Sequence, residues 1–148
     1  MKIEEEICQQ KFRSDNAKAV VNILFTSSWL TNKVNQLLKP FGISVEQYNV
    51  LRILKGQYPN PATLGVVQER MLEKMSNATR LVDKLITKGM VDRKQCPANR
   101  RAVDIRITEK GLHVLEEIAP LMLNLEKSLG LCCEEAQHLN FLLDKLRG

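Results

Sequence analysis

The sequence predicts a mostly α-helical fold (α+β) that carries one small β-hairpin, with helices on both sides of it. Three observations predict it. Apolar residues recur at helical spacing along most of the chain, most regularly at Ala78, Leu81, Val82, Leu85 and Ile86. One short stretch switches to a period of two, where Val103, Ile105 and Ile107 alternate with Asp104 and Arg106. Cap and breaker residues stand at the ends of most of these segments. The 148 residues amount to one ordinary domain, 1–148, long enough to bury a core without disulfides or metals as staples. Hydrophobic residues make up 44% and charged residues 26%, which excludes wholesale disorder. No apolar run approaches the roughly 20 residues of a membrane span. The start, Met1 to Glu6, is charged rather than apolar. A cytoplasmic protein is therefore expected.

After this charged leader, Ser14 or Asp15 is placed to cap a long helix to about Leu38. Pro40 and Gly42 end it. Ser44 opens a second helix with a capping box: its hydroxyl accepts from the Gln47 amide while the Gln47 side chain reaches back. Ile43 and Tyr48 stand at staple positions, and Val50, Leu51 and Leu54 continue the apolar face. Gly56-Gln-Tyr-Pro-Asn-Pro61 reads as a loop. A short helix from Thr63 to about Met71 and a turn lead to Ser76, which reads as the N-cap of the next helix. Gly89 ends that helix as its C′ residue. Val91–Gln95 and Val103–Ile107 read as strands, with Cys96-Pro-Ala-Asn-Arg-Arg101 as the hairpin tip. Thr108 caps a long helix that Pro120 is expected to kink. Gly130 and Glu134 bracket a break before a last helix with Leu139, Leu142, Leu143 and Leu146.

Short helix, turn, amphipathic helix and hairpin in this order make a winged helix-turn-helix, here at about 44–110. The flanking helices, about 14–40 and 109–147, are too apolar to pack only against one small winged core. That predicts a homodimer held by these helices.

Charge is uneven. Residues 69–110 carry 11 positive and 6 negative side chains, whereas residues 111–148 carry 3 and 6. A basic module beside an acidic one suggests a polyanion-binding face. On the helix after Ser76, the side opposite the apolar stripe carries Ser76, Thr79, Arg80, Asp83, Lys84 and Thr87, with Asn77 on the flank. Arg80 is suited to a bidentate contact with guanine and Asn77 to adenine. Ser76 and Thr79 lie in the first turn, where a phosphate is favoured. Arg100 and Arg101 on the wing suit a narrow minor groove. Lys74, Lys84, Lys88, Arg93 and Lys94 read as phosphate contacts or surface charges. Asp83 pairs with Arg80 on its own helix or holds the wing through Arg101.

The run Ser76-Asn-Ala-Thr-Arg-Leu-Val-Asp-Lys-Leu-Ile-Thr-Lys-Gly-Met-Val-Asp-Arg-Lys94 resembles the MarR (multiple-antibiotic-resistance regulator) family of transcription factors. So do Asn99-Arg-Arg-Ala-Val103, Ile107-Thr-Glu-Lys-Gly111 and Leu38 to Arg52. One departure is Asn99, where the family usually has Asp ahead of the wing arginines. The resemblance implies a homodimer with intertwined terminal helices. It also implies two winged modules on adjacent major grooves of a pseudo-palindromic double-stranded operator. Half-sites are then centred about 10 bp apart. Repression relieved by a small molecule or by thiol oxidation is the implied mode of regulation.

For a small aromatic effector, Trp29, Lys33, Phe41 and Tyr48 are candidates, as aromatic walls with one cation. Core or interface packing is the competing role for all four. For oxidation, Cys8 and Cys96 are candidates, the latter near Lys94 and Arg100. Cys132 and Cys133 form a vicinal pair read as structural. No cofactor or metal is expected, since Cys-x-x-Cys spacing is absent and only two histidines exist. No Gly-x-Ser-x-Gly or P-loop points to an enzyme. The remaining alternative is a winged-helix module that binds protein rather than DNA.

Overall fold

The computed structural model describes the backbone of all 148 residues and every side chain but that of Arg100. Its helices are α1 (Ile3–Glu6), α2 (Asp15–Leu38), α3 (Val45–Gln57), α4 (Leu64–Arg70), α5 (Ala78–Thr87), α6 (Glu109–Ser128) and α7 (Cys133–Arg147). A 3₁₀ turn, Lys39–Phe41, follows α2, and strands β1 (Val91–Cys96) and β2 (Asn99–Ile107) lie between α5 and α6.

Local chemistry sets most boundaries. The Ser14 hydroxyl accepts the Ala17 N–H at 3.1 Å and starts α2. The Ser44–Gln47 box is closed in both directions, each hydrogen bond at 3.2 Å. Thr63 and Thr108 cap α4 and α6 in the same way. Gly89, with φ 72°, ends α5. There the Gly89 N–H donates to Ile86 and the Met90 N–H to Leu85.

Four local expectations change. The stretch 1–14 is not only a leader, because Ile3–Glu6 is a helical turn that buries Ile3. Helix α3 continues through Gly56 to Gln57, since Pro59 drives only Tyr58 just before it out of the helical region (φ −54°, ψ 137°) and the Tyr58 N–H still reaches the Leu54 carbonyl. The N-cap of α5 is Asn77, not Ser76: Asn77 Oδ1 accepts the Arg80 N–H at 3.0 Å. The hairpin tip is only Pro97-Ala98, because Cys96 already pairs with Asn99. Arg101 therefore belongs to β2 rather than to the tip. Pro120 lies inside α6.

The core joins α3, α4, α5, the hairpin and the first half of α6. Leu51, Leu54, Val67, Val82, Leu85, Ile105 and Ile118 are among its fully buried side chains. The terminal helices contrast with it. Helix α7 buries no residue. Val20 and Leu24 on α2, Leu121 and Leu123 on α6, and Leu139, Phe141, Leu142 and Leu146 on α7 all face outward. Among the described residues no helix is long and apolar enough to cross a membrane.

Candidate nucleic-acid interface

Helix α5 is built to present one face. Ala78, Val82 and Leu85 are buried, while Asn77, Thr79, Arg80, Asp83, Lys84 and Thr87 are exposed. Arg80 and Lys84 form no ion pair among the described residues. Ser76 lies half-buried just before the cap. Asn77 uses its Oδ1 as that cap, which leaves its amide NH2 for an outside partner.

Gln68 sets where the helix begins, and sequence reasoning missed it. From α4 it donates to the Lys74 and Ser76 carbonyls, both at 3.2 Å, and accepts the Ala78 N–H at 3.3 Å. The Ser76 carbonyl is thus turned out of the helix, and the Asn77 carbonyl accepts the first helical bond, from Leu81. Asn49 on α3 supports the same turn by accepting the Leu72 N–H at 2.9 Å. No local pattern announces a partner 23 residues away.

The wing is joined to α5 by charge. Arg93 on β1 donates to Asp83 Oδ1. Asp83 therefore pairs with neither Arg80 nor Arg101, and Arg93 is a brace instead of a free surface charge. Asn99 Oδ1 accepts the Arg101 N–H at 3.0 Å, so the amide performs a local backbone role at the start of β2. Between α5, α4 and the wing lies a groove of about 340 Å³, with Thr63, Thr79, Arg93 and Arg101 among its lining residues. The arrangement is a polar helix face and a cationic wing converging on one open side, with hydroxyl and guanidinium donors suited to phosphate and base edges. The side chain of Arg100 lies outside the described residues.

Two further lysines are engaged by carbonyls of their own chain. Lys74 donates to the Glu69 carbonyl, and Lys88 to the Gly42 carbonyl and Gln47.

Of the four candidate effector residues, two come together: Lys33 Nζ lies 4.8 Å from the centroid of the Trp29 ring on the same helix. Phe41 and Tyr48 pack against the winged core instead. Trp29 also lines a cavity of about 270 Å³ with Met1, Ile3 and Phe25. All four cysteines are free thiols; Cys8, Cys132 and Cys133 are exposed and Cys96 is half-buried at the end of β1.

The MarR family model matches residues 43–103, which run from the start of α3 into β2. The HTH-type transcriptional regulator YdgG of Bacillus subtilis (strain 168) is 35% identical over 105 residues, covering 69% of this chain and 66% of YdgG. A second regulator of that organism, YkoM, is 31% identical over 109 residues, covering 72% of this chain and 70% of YkoM. The chain thus spans about two thirds of the length of these relatives. The crystal structure of the S. aureus MepR–DNA complex superposes with a TM-score of 0.75 at 21% identity, over 84% of this chain and 91% of that one. At that identity the superposition establishes the fold. Helix-turn-helix, wing and sequence matches together place the chain in the MarR family, whose members are DNA-binding transcriptional regulators and not enzymes.

Proposed function

We propose that the protein is a homodimeric repressor that binds a pseudo-palindromic operator in double-stranded DNA. The observation that carries this reading is the exposed face of α5. Arg80 stands there with no ion pair among the described residues, in a helix aimed outward by Gln68 and braced to the wing by Asp83 and Arg93. In this reading Arg80 and Asn77 contact base edges, and Ser76, Thr79 and Lys84 contact phosphates. Arg100 and Arg101 on the wing enter the minor groove. The winged module spans about 44–110, and the helices at about 14–40 and 109–147 hold the dimer. The outward-facing leucines and Phe141 of α6 and α7 support that role, since a lone chain leaves them in water.

Relief by a small aromatic effector is part of the proposal, with Trp29 and Lys33 as one wall and Phe41 and Tyr48 toward the winged core. An aromatic anion is the matching chemistry, because Lys33 supplies the cation over a ring already in place.

Titration of duplex DNA at a series of salt concentrations tests the reading. Affinity that falls steeply and linearly on a log–log plot, with one sequence preferred over random duplex, is expected. Absence of duplex affinity at low salt from a folded protein would transfer the winged module to a protein partner.

A further inference from the structure

The C-terminal end of α5 is gripped from two sides. Lys88 Nζ donates to the Gly42 carbonyl and, at 2.9 Å, to Gln47 Oε1. Gln47 is a polar residue only 5% exposed, and its Oε1 also accepts the Ser44 N–H at 3.2 Å. Gly42 has φ 66° and marks the corner where the α2 segment ends and α3 begins. From the other side, Lys110 Nζ donates to the Lys88 carbonyl at 2.8 Å, and Thr108 Oγ1 to the Gly89 carbonyl at 2.7 Å. The root of α2 and the root of α6 thus meet on Lys88 and Gly89. Lys88 has no carboxylate partner among the described residues. Two neutral oxygens hold its ammonium inside the corner, in charge-assisted hydrogen bonds stronger than neutral ones.

We propose that Lys88 is a positioning residue for operator recognition. It locks α5 to the α2–α3 corner and so sets which half-site spacing the protein accepts. The inference rests on the DNA-binding reading above. In a dimer held by the terminal helices, the distance and angle between the two copies of α5 depend on how α5 sits against α2, α3 and α6, and this joint adds directed hydrogen bonds to the apolar packing that sets it. Half-site spacing follows from that geometry. A lysine on a phosphate would act differently: it would add affinity for every sequence and add to the salt dependence.

The test uses the full chain, with Lys88→Met and Gln47→Met, and operators whose half-sites are centred about 9 to about 12 bp apart. Methionine keeps the aliphatic stem and removes the polar group. The expected result is that either variant loses about tenfold of the preference for one spacing, while the slope of log affinity on log salt stays as in the unmodified chain. Amide exchange in the DNA-free protein is expected to quicken at residues 42–47 and 84–90 in both variants. A slope reduced by about 0.9 in Lys88→Met with spacing preference intact would make Lys88 a phosphate contact and overturn the proposal. So would unchanged exchange at the corner. If the unmodified chain binds no duplex, the DNA-binding reading fails in that arm, and the exchange data still decide whether Lys88 holds the corner.

Discussion

Asp83 on α5 and Arg93 on β1 form an ion pair that ties the recognition helix to the wing. It resolves a conflict on the polar face, since a bare carboxylate there would repel phosphates. Both side chains are partly exposed, 54% for Asp83 and 39% for Arg93, so the pair contributes at most about 1 kcal/mol to folding. Its larger effect is on geometry. Asp83→Asn and Arg93→Gln are each expected to weaken operator binding, and the double variant to be no weaker than the worse single one. A double-mutant cycle read by fluorescence anisotropy checks this, and additive losses would show that the two side chains act independently.

Gly111 is required by close approach. A Cβ there would lie 2.4 Å from the Met90 carbonyl oxygen and 2.7 Å from Ile107 Cγ1. The first is backbone at the hinge between α5 and β1 and cannot turn aside. Gly111→Ala is expected to destabilise the fold by about 1–3 kcal/mol, although alanine is the better helix former. Urea unfolding measures the sign, and a stabilised variant would contradict the packing described for this corner.

Acid should release α1. Lys18 donates to Glu4 and holds its carboxyl below the ordinary glutamate value. A lowered folded-state pKa gives stability that is present above the ordinary value and lost as pH falls through the lowered one. Trp29, the only tryptophan, lines the cavity under α1 and reports on it. Its emission should shift below the ordinary carboxylate range. In Glu4→Gln the shift should already be present at neutral pH. Identical emission profiles for the two proteins would show that the ion pair does not hold α1.

The apolar side of α7 should hold the dimer. Phe141 is 61% exposed and Leu142 47% in the single chain. Phe141→Glu and Leu142→Glu are expected to yield a folded monomer or a much weaker dimer in sedimentation velocity, since a buried unpaired charge is costly. A dimer of unchanged affinity would place the interface elsewhere.

What was legible in the sequence was local. The Ser14, Ser44 and Thr108 caps, the α5 stripe and the alternating strand depend on residues within a few positions of each other. Sequence alone points to Ser76 as the N-cap of α5, one residue early, because Ser76 and Asn77 both have capping side chains and Gln68, from α4, decides between them. The partners of Asp83 and Lys88 lie 10 and 41 or more residues away, where no periodicity reaches. Composition marks Cys96 to Arg101 as turn-like, whereas pairing of Cys96 with Asn99 closes the tip at Pro97-Ala98.

Binding-site selection on random duplexes, run with the unmodified protein and with Arg80→Ala, decides whether Arg80 reads bases. One enriched pseudo-palindrome is expected for the unmodified chain. For Arg80→Ala the same motif is expected, relaxed at one base position per half-site, with a loss of about 1–3 kcal/mol. An identical motif and affinity from both proteins would contradict the assignment of Arg80 as the base-reading residue of this face.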